Sequence, residues 1–228
     1  MNTQNHSSHK PTIVFSSKCW QGDYHHFLSG AFERKYKGCQ YPFNEKWLMV
    51  NNITDDVKVE DLEHLADRVV DVGGFSEEVL KFFNLKKEDF KGGYYYSIAE
   101  LTAIYLAKDF DYLCWIQGDC TINPPGDWIT EGIEVLEKNK DISVVSPFSE
   151  NNTWHDENYL DHFFSDQGYL IRVNEFRKRI YNYQKPFLEQ YPDHGGISFE
   201  RMCGRYLFNT GKFRRILIDF NLNHPTYE

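Results

Sequence analysis

The sequence predicts a single α/β domain built on a mostly parallel sheet with helices on both faces. Three observations predict it. Over the first 150 residues, short β-branched and aromatic runs alternate with stretches whose apolar residues recur at helical spacing. One run, YLCWI at 112–116, is continuously apolar, as strands covered on both faces are, and ISVVS at 142–146 reads as another buried strand. A chain of 228 residues also buries enough apolar surface to hold one core without disulfide or metal support. Strand and helix in alternation imply right-handed crossovers and parallel neighbours.

The elements follow in order. Residues 12–16 read as a first strand. Phe27, Leu28, Ala31 and Phe32 give helical spacing to residues 23–35. A second strand at 46–50 stops at Asn51 and Asn52, residues suited to turns. A helix is expected at 59–66, a strand at 68–72 ended by Gly73 and Gly74, and a helix at 76–83. After Gly92 and Gly93, a helix at 97–108 takes Ser97 as its N-cap, with Glu100 at capping-box spacing. The strand at 112–116, a helix at 128–138 and the strand at 142–146 complete the first half. Beyond residue 150 the pattern changes: 151–164 has no period, 168–173 and 215–220 read as strands, and 198–208 reads as a helix capped by Ser198. Residues 1–11 are a polar, flexible lead, and the domain is expected to run over 12–228.

Composition narrows the function. A net charge of −9 with no basic cluster argues against nucleic acid and against anionic lipid surfaces, both of which are bound through Lys and Arg. Aromatic residues make up 17%. Most must be core, although such rings also stack on the apolar face of a sugar. The five cysteines are odd in number and contain no C-x-x-C pair, which favours reduced thiols. With no membrane-spanning apolar run and no signal-peptide pattern, a cytoplasmic protein is expected.

Ligands of open α/β sheets bind beyond the carboxyl ends of the strands, so the residues after each strand carry the functional signal. The sharpest segment is YLCWIQGDCTI at 112–122, where a buried strand runs into Gln117, Gly118 and Asp119. An isolated Asp at such a place more often caps a turn. KWLMVNNITDD at 46–56 offers Asn51, Asn52 and Asp55 after the second strand, and Ser16 and Ser17 end the first. PDHGGISFERM at 192–202 holds Asp193, Gly195, Gly196 and Glu200, FFSDQGYLIR holds Asp166 and Gln167, and the last residues include His224.

In this order the segments resemble GT-A glycosyltransferases, a nucleotide-binding, Rossmann-like group, and among them the inverting family that includes polysaccharide synthases. The resemblance covers residues 12–228 and is strongest at 97–122 and 192–205. It implies a nucleotide-sugar half at 12–150 and an acceptor-side half at 151–228. It also implies glycosyl transfer from a nucleoside-diphosphate sugar, UDP favoured, to a carbohydrate or glycoconjugate hydroxyl. Asp119 falls on the second Asp of the family's Asp-x-Asp turn, which holds Mn²⁺ or Mg²⁺ against the donor diphosphate. Gln117 falls on the first and departs from the pattern, which weakens the implied metal site. His224 matches a late metal ligand. Asn51, Asn52 and Asp55 match the base-reading turn, and Ser16 and Ser17 the first nucleotide loop. Asp166, Gln167, Gly195 and Gly196 match sugar and acceptor positions. Glu200 matches the general base, with Asp193 in reserve, since Glu-Arg stands here where relatives have Glu-Asp. The chemistry needs these types: a cation for the departing diphosphate and a carboxylate to take the acceptor's proton. The chain is also compatible with a part of a larger synthase.

Two other readings compete. A sugar-nucleotide nucleotidyltransferase would carry a Gly-rich, Arg-containing loop after the first strand, and FSSKCWQGD lacks one. A non-catalytic carbohydrate- or nucleotide-binding protein on the same fold is favoured by Gln117. A dinucleotide-dependent oxidoreductase is disfavoured, because no G-x-G-x-x-G follows the first strand.

Overall fold

The computed structural model describes residues 10–54, 57–149, 156–183 and 197–223. Strand β1 (Ile13–Cys19) starts the sheet and runs three residues beyond the expected end. The helix expected at 23–35 is divided into α1 (Tyr24–Leu28) and α2 (Ala31–Gly38). Gly30 separates them at φ +85°, a left-handed conformation that favours glycine. Next come β2 (Glu45–Val50) and β3 (Arg68–Asp71). Between them, Val59–Leu65 winds as a 3-10 helix instead of the expected α-helix. Its apolar residues Val59, Leu62 and Leu65 recur every three positions, which is the 3-10 period.

Helices α3 (Ser76–Phe83), α4 (Lys87–Phe90) and α5 (Tyr94–Leu106) precede β4 (Tyr112–Ile116) and β5 (Thr121–Ile122). Then follow α6 (Trp128–Lys138), β6 (Ile142–Phe148), β7 (Leu160–Asp161), β8 (Gly168–Arg172), α7 (Val173–Phe176), α8 (Phe199–Thr210) and β9 (Phe213–Asn223). The expected capping box at Ser97 and Glu100 does not form, because α5 begins three residues earlier, directly after Gly93. Ser97 Oγ donates to the Gly93 carbonyl and accepts the Phe199 N–H, so it serves the first turn of α8 instead. Ser198 caps α8 as expected, its hydroxyl accepting the Arg201 N–H.

The sheet order is β3-β2-β1-β4-β8-β6-β9-β5, with β7 also on β9. β3, β2, β1 and β4 are parallel neighbours, as the alternation predicts. β8, from beyond residue 150, lies between β4 and β6 and is antiparallel to both. β6 and β9 are parallel. Helices α3, α5 and α8 cover one face and α1, α2 and α6 the other, giving two apolar layers. Trp115 on β4 stacks on Tyr169 of β8 at 6.2 Å. Each fully buried large apolar side chain contributes about 1.5–3 kcal/mol, so these layers fix the register. Gly132 lets α6 sit close to the sheet, since a Cβ there would lie 2.9 Å from Leu170 Cδ2. The five cysteines are free thiols, all buried. Among the described residues no helix is long and apolar enough to cross a membrane.

One polar contact joins the second half. Arg214 on β9 is fully buried, and its guanidinium donates from Nε and Nη2 to the two carboxylate oxygens of Asp161 on β7. Removing one partner of a buried pair costs about 3–5 kcal/mol. Asp161→Asn is therefore expected to lose stability of that order in urea unfolding. Asp161→Leu combined with Arg214→Met should recover most of the loss. Equal stability of wild type and Asp161→Asn would show that the pair does not hold β7 to β9.

Candidate functional site

A cleft of about 510 Å³ opens at the carboxyl ends of β1, β2 and β4, the edge where parallel α/β sheets take ligands. Three strand ends build it. β1 contributes Lys18 and, just beyond, Trp20 and Asp23; β2 contributes Asn51 and Asn52; β4 contributes Gln117, Gly118 and Asp119. Tyr95 and Tyr96, in the first turn of α5, close the side. Trp20, Tyr95 and Tyr96 are each about half exposed, so three aromatic rings stand at the mouth.

The turn after β4 is held from below. Lys35 of α2 is buried, and its ammonium donates to the carbonyls of Gln117 (3.1 Å) and Cys120 (2.5 Å). The Gln117 N–H donates to the Gln167 carbonyl and the Cys120 N–H to the Gln117 carbonyl. Gly118 is demanded by the protein's own packing. A Cβ there would lie 2.5 Å from the Lys18 carbonyl oxygen and 2.6 Å from Asp23 Oδ2. This close approach brings Asp23, which is buried, alongside the turn that carries Asp119. Burial pushes the Asp23 carboxyl above its usual range, and the neighbouring Asp119 charge adds to the shift. The Gln117 side chain accepts a hydrogen bond from Trp115 Nε1 at 3.2 Å. Asn51 gives its amide N–H to the Tyr95 carbonyl at 2.7 Å, fastening β2 to α5.

A second cluster lies behind the cleft, around α8. Glu200, in the first turn of α8, has its carboxyl raised well above the usual range by burial and by Asp166, while Arg214 works against the shift. Glu100 on α5 is fully buried, and neither carboxyl oxygen meets a hydrogen-bond partner among the described residues. Burial raises its pKa to about 8, Lys18 opposes the shift and Asp166 adds to it. Tyr169, its neighbour through charge, is also fully buried, and its hydroxyl likewise meets no partner among the described residues.

The structure thus brings Asn51, Asn52, Gln117, Gly118 and Asp119 together in one cleft, as the sequence suggested. Ser16 and Ser17 are a correction. Both are fully buried within β1, because that strand runs on to Cys19, and the cleft lining starts at Lys18. Asp166 and Glu200 meet in the second cluster. Gln167 holds the β4 turn through its carbonyl and accepts from Ser149 Oγ through its amide oxygen. Asp55, Asp193, Gly195, Gly196 and His224 lie outside the described residues. Sequence reasoning missed Asp23 and Lys35. Lys35 had a signal: with Ala31, Phe32 and Gly38 it falls on the buried stripe of α2, where a charge needs a reason. Asp23 had none beyond its place four residues past a strand end.

No protein-family model matches the chain, and no curated protein does. Solved structures do. Glucosyl-3-phosphoglycerate synthase from Mycobacterium tuberculosis with Mn²⁺, UDP-glucose and phosphoglyceric acid matches at TM-score 0.53 and 12% identity, over 96% of this chain and 73% of that one. The same enzyme with Mn²⁺, UDP and phosphoglyceric acid matches at TM-score 0.54 and 14% identity, over 96% and 72%. With Mg²⁺ and UDP it matches at TM-score 0.53 and 14% identity, over 96% and 73%. At these identities the likeness is one of fold, and the fold is GT-A.

Glu100 makes stability depend on pH. Its pKa is about 8 in the folded chain and, unfolded, near the ordinary 4.5. Between those values the folded state keeps a proton that the unfolded state has lost, so stability falls as pH rises through that window. Glu100→Gln removes the group. In paired urea titrations the variant should match wild type near pH 5 and exceed it near pH 8.5, by on the order of a few kcal/mol at most. Parallel curves for the two proteins would rule out a buried proton on Glu100.

Proposed function

We propose that this chain is a glycosyltransferase that moves a sugar from a nucleoside-diphosphate donor, a UDP-sugar first, to an acceptor hydroxyl with a divalent metal. The observation that carries the reading is the cleft itself: Asp119 and Asp23 stand together beside Asn51 and Asn52, at the ligand edge of a GT-A sheet. Support for UDP and for Mn²⁺ or Mg²⁺ comes from the synthase structures, which contain them.

The residues fit such a cation. Two carboxylates pressed together, one of them raised by the other's charge, are relieved by a hard divalent ion, and oxygen donors suit Mg²⁺ and Mn²⁺. Among the described residues no three His, Cys, Asp or Glu side chains form a ready cage. The ion would therefore lean on Asp119, Asp23 and the donor's phosphate oxygens, the partial coordination Mg²⁺ commonly keeps with nucleotides. His224 is a further ligand in this reading. When bound, the metal supplies positive charge to the departing diphosphate.

The chain's own residues do the rest. Asn51 and Asn52 are assigned to the base, with Asp55 given the same role on the resemblance, and the rings of Trp20, Tyr95 and Tyr96 offer stacking surfaces to base or sugar. Gln117 cannot add charge, and its engaged amide helps fix the turn. Asp166 and Gln167, and on the resemblance Gly195 and Gly196, are assigned to the transferred sugar and the acceptor. Glu200 takes the acceptor proton from the far side of the sugar, with inversion, and Asp193 is the alternative base. Because its carboxyl is raised, Glu200 must lose a proton before it can act.

The same Gln117 favours a second reading, binding without transfer, and turnover separates the two. Mn²⁺ with UDP is expected to raise the melting temperature of wild type, since a native-state ligand stabilises by about 2.7 kcal/mol at a hundredfold excess over its Kd. Asp119→Asn should fold normally, lose most of its turnover and lose the metal dependence of UDP binding. Full turnover in that variant would remove Asp119 from the mechanism. A folded wild type that binds no nucleoside diphosphate, with or without metal, would sink the donor site.

For the base, the raised pKa gives a sign. The active form of Glu200 is the ionised one, so transfer should climb with pH past the range where ordinary carboxylates have finished titrating. Glu200→Gln should flatten that climb and cut transfer by roughly 10²–10⁴ while UDP binding persists. If Asp193→Asn abolishes transfer and Glu200→Gln does not, the base is Asp193.

A further inference from the structure

Lys18 is the feature that the reading above leaves unused. It lies on β1 opposite Met49 of β2. By strand alternation its side chain shares a face with Val14 and Ser16, the face that α5 covers. It is only 5% exposed, yet it lines the cleft. Its ammonium stands over the Tyr96 ring, 5.4 Å from the centroid. Among the described residues it makes no hydrogen bond and no ion pair. Its Nζ is not a fully buried atom: the stem is covered and the ammonium tip stays at the cleft, as long cationic side chains ordinarily reach for water or a carboxylate. The carboxyls that feel its charge are Asp23 and Glu100. Glu100 is fully buried, and burial raises its pKa to about 8.

We propose that Lys18 is an anion anchor that binds the donor's diphosphate directly, so that a nucleoside diphosphate is held even without a divalent cation. The proposal rests on the donor reading and deepens it. Gln117 leaves the metal turn one carboxylate short; Lys18 brings a positive charge to the same cleft from the carboxyl end of the neighbouring parallel strand. A metal held by Asp119 and Asp23 and the Lys18 ammonium would then both supply positive charge to the phosphates. Tyr96 keeps the ammonium in place through its ring face when no anion is bound, and a phosphate oxygen competes well because charge-assisted hydrogen bonds are the strong ones.

Calorimetry of UDP, uridine and pyrophosphate in EDTA, and of UDP with Mn²⁺, tests it on wild type, Lys18→Met and Lys18→Gln, each first checked for an unchanged melt. Wild type in EDTA is expected to bind UDP at least about tenfold tighter than uridine and to bind pyrophosphate, as one charge-assisted contact allows. Both variants should lose that tenfold preference and the pyrophosphate binding, while their uridine affinity stays within about twofold, because no charge meets Lys18 in uridine. UDP bound equally by wild type and variants in EDTA overturns the anchor and leaves the donor site standing. So does UDP bound by wild type only with Mn²⁺. Uridine and UDP weakened alike also overturn it, since Lys18 is then a packing residue. Lys18-dependent pyrophosphate binding without any UDP binding keeps the anchor and overturns the nucleotide reading. If one variant fails to fold, the other decides.

Discussion

The cleft depends on one buried ammonium. Lys35 reaches from α2 under the sheet edge to two carbonyls of a four-residue turn, those of Gln117 and Cys120. Burial lowers its pKa to about 8, while Cys120, Asp119 and Asp23 pull it back up. The charge is therefore kept by what surrounds it, and what surrounds it is the site. With the turn pinned, Gly118 packs against the Lys18 carbonyl, Asp23 slides in beside it, and Asp119 is presented to the cleft. A larger residue at 118 would push against a backbone oxygen, which cannot rotate away, so the β1 and β4 ends would part.

The groups in the cleft are best seen as a charge balance. Asp23 and Asp119 repel, and Lys35 beneath and Lys18 beside them offset part of that repulsion. Burial of Asp23 and Lys35 strengthens these terms relative to the exposed surface. A site so arranged favours a ligand that brings a cation and a polyanion together. That is the chemistry of a metal-bound diphosphate, and it follows from the side chains before any likeness of fold is considered.

Much of the fold was legible because periodicity reports burial. The strand at 112–116 and the helices at 76–83 and 128–138 have the expected bounds, each being a run whose apolar pattern has one interpretation. The failures have physical causes. A glycine able to take positive φ split one helix at Gly30. Three-residue spacing gave 3-10 winding at Val59–Leu65. Ser97 and Glu100 matched a capping box by spacing alone, but tertiary packing set the start of α5 earlier. At the site, Asn51, Asn52, Gln117, Gly118 and Asp119 were legible as strand-end residues. Asp23 was not, since it reaches the cleft only through a close backbone approach at Gly118. Ser16 and Ser17 were misplaced because a polar pair was read as a strand end, whereas both lie inside a strand that tolerates them fully buried.

Helix α5 ties the two halves together. Its first turn puts Tyr95 and Tyr96 on the cleft. One residue on, Ser97 takes the first free N–H of α8, which fixes the helix that bears Glu200. One turn after Tyr96, Glu100 sits where the charges of Lys18 and Asp166 both reach it. Its protonated state then has a consequence for the neighbouring cluster. An ionised Glu100 would raise the Glu200 carboxyl further, because like charges oppose each other's ionisation. Burial keeps Glu100 protonated through neutral pH, so there Glu200 is raised by its own burial and by the Asp166 charge, with Arg214 opposing them. Glu100 thus stands between the charges of the cleft and those of the second cluster, reached by Lys18 of the one and Asp166 of the other, and its burial decides how strongly the two are linked.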